Sequence, residues 1–286
     1  MLSGSHAEDP ARQPEWATFQ SLAMKRGTVL AASALILAPC APASGSLTPE
    51  QMAAADSEVL PTVPTPAEFF GAIDKISRPD WAAFYRDPGP TSFPARPQTA
   101  FNLGVLVTDG YIAVEAQDGQ QVKNTGKDII ALARALGVGD NVLARGKSIA
   151  DFADKNDWFA LREELEATTN EVRRAMIDQR DEQLASLILA GAWLRALQVG
   201  GRAAEICGEP ACNALLGQPQ LVAYLHDRVK EAPAEGQSDP VVERVGKVFG
   251  QVQTAMAAGE GSPPDSDQVR QISELSAELV AQMGAK

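Results

Sequence analysis

Residues 101–116, FNLGVLVTDGYIAVEA, decide the fold class. Asp109-Gly110 between two apolar runs is a hairpin signal, because that dipeptide supplies the positive φ angles of a tight turn. A second pattern opposes it. Asn102 and Asp109 are seven residues apart, as are Thr108 and Glu115, so on a helix the four polar residues collapse onto one narrow stripe. The surface that remains is apolar, which is the pattern of a central, largely buried helix. The helix is the reading adopted, since every later segment is helical as well.

Working outward toward the C-terminus, Thr125-Gly126-Lys127-Asp128 offers an N-cap with an acid three residues on, and IIALARAL stops at Gly137. Asp140 can cap a helix to about Lys155, closed by Asn156. Asp157 caps a long one from Trp158 to about Gln179, with Glu early and Arg late, the order that suits the helix dipole. Asp181 opens a segment whose centre, LASLILAGAWLRALQVGG, is apolar on nearly all sides and is expected to be buried among neighbours. Helices follow from Pro219 to about Glu231 and from Pro240 to about Ala258. A GEGSPPD linker then leads to a last helix with the stripe Val269, Ile272, Leu279 and Met283, spaced for packing on a bundle. No signature recurs at fixed spacing, so an irregular multi-helix bundle is expected, with α-solenoid-like packing as the alternative.

Toward the N-terminus, residues 44–98 read as a Ser/Thr/Pro-rich linker carrying short helices, one of them from about Pro66 to Ile76 and a second turn holding Trp81, Phe84 and Tyr85. RDPGPTSFPARPQ (86–98) has four prolines and is expected to be irregular, with Phe93 as an anchor. Met24-Lys25-Arg26, an apolar core of about 11 residues and Ala41-Pro42-Ala43 make the three-part layout of a secretory signal, too short for the about 20 residues of a membrane span. The expected start is Met24 and the expected cut follows Ala43. The organisation is therefore 1–43 as extension plus signal, 44–98 as linker, 99–258 as helical core domain, and 259–286 as linker and C-terminal helix packing on the core. Leu37-Ala38-Pro39-Cys40 resembles the box before the lipidated cysteine of bacterial lipoproteins, although Pro39 stands where that pattern has a small residue. Cys40 is accordingly a lipidation candidate, a lesser alternative to cleavage after Ala43.

The chain of 286 residues carries 25 Lys and Arg against 37 Asp and Glu, a formal charge of −12. Such a surface repels phosphate backbones and disfavours nucleic acid as a partner. Two histidines and three cysteines are scant material for a metal site or a histidine triad, so neither metal nor cofactor is expected. In an oxidising envelope Cys207 and Cys212, in CGEPAC, most simply form a local disulfide. Arg145-Gly146-Lys147-Ser148 ends like a phosphate loop but has Asn141 where that loop needs glycine, and its context is a helix. His226 and Asp227 are adjacent on a helix and do not form a dyad. No serine lies in a nucleophile elbow, and Trp158, Phe159 and Trp193 are expected in core packing.

Asp109 and Glu115 stand out because they interrupt an apolar segment. The bland expectation is a hydrogen-bonded stripe of Asn102, Thr108, Asp109 and Glu115 that meets Arg or Lys from a neighbouring helix. The functional alternative is a polar pocket in which Asn102, Asp109 and Glu115 bind a small ligand. No catalytic residue is assigned. The function expected from these features is that of an exported, periplasmic or envelope-associated helical protein. It would act as a non-enzymatic interaction or scaffold module on a protein partner or on itself, meeting the membrane only through the signal or a lipid on Cys40. A periplasmic small-ligand binder is the alternative, and an enzyme with a carboxylate-based site the third reading.

Overall fold

The computed structural model describes residues 64–285 apart from 139, 232–238 and 258–261. Residues 1–43, on which the expected signal and Cys40 fall, residues 44–63 of the Pro-rich stretch and the start of the last linker lie outside the described residues. Val59–Lys286 forms one unit, and among its described residues the regular structure is helical throughout. In order these are α1 (Pro66–Ser77), a 3₁₀ turn (Trp81–Phe84), α2 (Arg96–Glu115), α3 (Gly119–Ala135) and α4 (Asp140–Asp154). There follow α5 (Trp158–Asp178), α6 (Glu182–Cys207), α7 (Pro210–Ala214), α8 (Pro219–Lys230), α9 (Pro240–Ala257) and α10 (Ser266–Gly284).

Proline starts helices here more often than it stops them. Pro66, Pro97, Pro210 and Pro219 sit in first turns, where the missing N–H has no intrahelical partner to lose. This corrects the irregular reading of 86–98 at its end, since α2 already begins at Arg96. Asp157 and Asp265 cap α5 and α10 by accepting from Ala160 N and Gln268 N. The expected start at Thr125 is wrong. Asp118 caps α3 by accepting from Gln121 N at 2.9 Å, which leaves Thr125 and Gly126 mid-helix and buried, where they pack near Gly110 and Ile149.

The 101–116 segment lies wholly within or directly after α2, and fifteen of that helix's residues are buried. Its partner is α6, buried on nearly every side as its composition requires. The two cross at a pair of glycines. A Cβ on Gly104 would run into the carbonyl of Ile188, and one on Gly191 into the carbonyl of Phe101, so each helix uses the other's missing side chain. Thr108 Oγ1 donates across the crossing to Ala192 O at 2.9 Å.

Around this pair α1, α5, α8 and α10 pack on α6, while α1, α3, α5 and α10 pack on α2. Contacts between helices so distant in sequence, α2 with α10 above all, are those of a bundle and not of a solenoid, in which each repeat touches only its neighbours. Residues 66–84 enter the same core. Phe69 packs at a tilt against Trp193, ring centroids 5.8 Å apart, and Phe70 likewise against Trp81 at 5.1 Å, and the four rings are buried. Phe93 is half-buried against this core. Phe159 departs from expectation and is 69 % exposed. The buried stripe of α5 runs through Leu161, Leu165, Val172 and Met176, and Phe159, two positions before Leu161, points roughly 200° away from it. Cys207 and Cys212 form a disulfide joining the end of α6 to α7.

Gly104→Ala is expected to cost about 3 kcal/mol or more, because a backbone carbonyl of the facing helix would have to move. Gly71→Ala in α1, where a Cβ meets nothing within 4 Å, should instead stabilise by about 0.5–1 kcal/mol by removing backbone freedom from the unfolded chain. Urea titration of both variants checks the pair. Equal effects would show that the crossing is looser than described.

Candidate functional site

The polar residues of α2 meet partners from four other parts of the chain, the Pro-rich segment, α5, α6 and α10. Asp109 sits between two arginines: Arg86 Nε, from the Pro-rich segment, donates to Oδ2 at 2.5 Å, and Arg195 Nε, from α6, donates to Oδ1 at 2.8 Å. Arg195 is 3 % exposed, and its Nη2 also donates to Phe84 O at 2.6 Å. A guanidinium that deep is tolerable only with acceptors around it, and one carboxylate plus one carbonyl supply them. The cluster ties α2, α6 and residues 84–86 together. Asp128 on α3 faces the same region: burial raises its pKa, opposed by the charge of Arg86.

Glu115, the last residue of α2, receives two parallel bonds from Arg162 of α5, Nε and Nη2 each at 2.8 Å. The hydrogen bonds to Glu115 raise the Arg162 pKa against the lowering effect of burial. Asn102 Nδ2 donates to Gln98 O at 2.9 Å and to Met283 O at 2.8 Å, while Gln98 Nε2 donates to Met283 O and Ala285 O. These amides thus satisfy carbonyls at the C-terminal end of α10.

Asn102, Asp109 and Glu115 are therefore engaged separately, each with a partner from a different element. The arrangement matches the hydrogen-bonded stripe. Asp109 and Glu115 are held by different arginines and do not converge on a shared proton, as an acid–base pair would require. Arg145, from the Arg-Gly-Lys-Ser stretch, lies in α4 and bridges Glu164 and Glu171 of α5, while Lys147 is exposed. Among the described residues no group of three His, Cys, Asp or Glu side chains is placed to hold a metal ion.

The arginines were the residues that pattern reading passed over. Arg195 had a signal: it is the single charge inside LASLILAGAWLRALQVGG, and a buried charge needs a counter-charge from another apolar helix, of which Asp109 is one. Arg86 and Arg162 had none, since they lie in polar stretches where arginine is unremarked.

An open groove with a cavity volume of about 420 Å³ lies elsewhere, between α8 and α9. His226 and Lys230 of α8 line it with Glu243, Gly246, Lys247 and Gly250 of α9. The His226 pKa is lowered by burial first and by Lys230 second, with Asp227 opposing. No protein-family model matches the chain, and no curated protein or solved structure matches it either.

Two outcomes follow. Asp109→Asn should destabilise by about 3–5 kcal/mol, because it leaves Arg195 charged and buried without its counter-ion. Glu115→Gln should cost about 1–2 kcal/mol, since Arg162 is 39 % exposed and can turn to water. Denaturant midpoints with the Asp109/Arg195 double-mutant cycle measure both, and equal losses would refute this ranking.

The second outcome concerns alkali. Tyr111 is buried in α2, and desolvation, reinforced by Glu166 and Glu68, raises its pKa. A phenol whose folded pKa lies above its unfolded value favours the fold fully below pH 10, and that contribution is lost as pH rises from there toward the folded value. Stability should therefore fall above about pH 10, and Tyr111→Phe should flatten the fall. An unchanged alkaline limb in the variant would assign the loss to other groups.

Proposed function

We propose that this chain is an exported protein of the cell envelope, periplasmic, and that its helical unit serves as a non-enzymatic interaction or scaffold module for a protein partner or for a second copy. The observation that carries the reading is the fate of the acids in the central helix. Asp109 is clasped by Arg86 and Arg195, and Glu115 by Arg162. Carboxylates so used hold helices in register; a general acid or base needs a lone carboxyl with a perturbed pKa facing a cleft. Export rests on the Met24–Ala43 layout of charge, apolar core and small residues, with Cys40 as the alternative attachment point through a lipid. The disulfide between Cys207 and Cys212 suits an oxidising compartment. An acidic, arginine-stapled helical body also leaves its outer faces to recognise other proteins, and Phe159 and Ile206, 69 % and 65 % exposed, are apolar contact points on two of them.

The test is expression of the full chain in an exporting bacterial host, with a photo-crosslinking residue at Phe159 or Ile206. The expected result is an envelope-fraction chain beginning at Ser44, or at a lipid-bearing Cys40, with a discrete crosslinked species from at least one position. A chain that begins at Met1 or Met24 and stays in the cytosol would overturn export. A correctly exported chain that crosslinks to nothing and remains monomeric would overturn the interaction module.

A further inference from the structure

The α8–α9 groove turns cationic charge toward an open volume in a chain of formal charge −12. Lys230 comes from α8 and Lys247 from α9, and among the described residues the lining acid is Glu243, so there two ammonium groups stand against one carboxylate. The ion pairs found among the described residues use neither lysine, whereas Lys123 is paired with Asp154 at 2.8 Å. Gly246 and Gly250, one turn apart on α9, add no side chains of their own to the floor. Positions where their Cβ atoms would stand lie 3.7 Å from the Lys230 stem and 3.9 Å from the His226 ring. The Lys230 stem and the imidazole are thus laid over bare helix backbone, which leaves the ammonium free to reach out at the rim.

A volume of about 420 Å³ is within the range of small-molecule sites. The donor set narrows the chemistry. Lysine presents a compact point charge with no preferred plane, which serves the tetrahedral oxygens of a phosphate from any direction, and among the described residues the cations lining this groove are lysines. We propose that the groove between α8 and α9 binds a phosphate-bearing ligand, held by Lys230 and Lys247 with His226 as the third donor. This goes beyond the interaction-module reading and stands without it.

Proton linkage supplies the readout. In the unliganded groove burial and Lys230 bias His226 toward its neutral form, Asp227 opposes them, and Glu243 and Lys247 line the groove from α9. A phosphate brings negative charge to the imidazole and must raise its pKa, so binding takes up protons.

The experiment titrates the full chain with inorganic pyrophosphate and follows the His226 imidazole CH resonance by NMR, assigned with His226→Gln. The expected result is a saturable shift with a raised His226 pKa. Lys230→Gln with Lys247→Gln should weaken it at least tenfold at an unchanged urea midpoint, both lysines being exposed. A second arm uses phosphatidylglycerol vesicles: cosedimentation that the double variant abolishes assigns the phosphate to a lipid headgroup, and its absence beside a saturating pyrophosphate shift assigns it to a soluble compound. No shift and no cosedimentation, a shift that the double variant retains, or an equal shift with citrate would each overturn the proposal.

Discussion

Two glycines set the distance on which the rest of this fold depends. Gly104 of α2 and Gly191 of α6 each stand where the other helix's carbonyl leaves no room for a methyl group. Helices this close exchange their whole contact stripe, so the residues beside the crossing have no route to water. That is why α2 and α6 are apolar almost all round, and why neither shows the amphipathic pattern of a surface helix. It also explains the placement of Thr108, whose hydroxyl can reach a carbonyl on the facing helix only because the backbones nearly touch.

Burying two helices leaves their few polar groups with a problem, and the solutions shape the periphery. Arg195 lies one turn beyond Gly191 on α6 and Asp109 lies just beyond Gly104 on α2, so the crossing brings them within 2.8 Å of each other. One carboxylate against two guanidiniums costs desolvation that the Coulomb attraction recovers only with good geometry, so the cluster is weak evidence for net stability and better evidence for register. Sliding α2 by one turn against α6 would strand Arg195. The same logic recruits the chain before α2: Phe84 lends a carbonyl and Arg86 a guanidinium. A stretch that composition marks as linker is thereby fastened to the core, with Phe69, Phe70 and Trp81 packed behind it.

How much of this could be read from the amino acids depends on the kind of force involved. Helix identity came from periodicity, and the spacing of Asn102, Thr108, Asp109 and Glu115 outweighed the turn signal of Asp109-Gly110 because a stripe is a statement about sixteen residues and a dipeptide about two. The stripe even implied arginine or lysine partners. Their identity stayed hidden, since nothing local distinguishes Arg162, which pairs across helices, from Arg134, which stays exposed. Thr125 failed as a cap for a related reason. Ser, Thr and Asp compete for that role at any plausible start, and the winner, Asp118, was decided by which turn could bury Val122. Phe159 failed because an aromatic beside a tryptophan suggests core, while the register of α5 was already committed to Leu161 and Leu165. The α8–α9 groove was illegible for a different reason: its residues are individually ordinary, and only the pairing of two helices puts Lys230 over Gly246 and His226 over Gly250.

The contrast between centre and edge bears on where this molecule can interact at all. In the α2–α6 crossing glycine is consumed by a facing backbone, and each polar side chain of the stripe has a protein partner. In α9 the same residue type, again at close spacing, faces side-chain ends that are movable, and cations that none of the described ion pairs employs. Small residues close one interface and open the other because of what lies opposite: a rigid carbonyl in the first case, a flexible lysine stem and an imidazole in the second. A fold that spends its buried charge on register keeps chemical freedom only at its rim, and in an acidic protein a rim of lysines over bare backbone is the part of the surface most able to discriminate among anions.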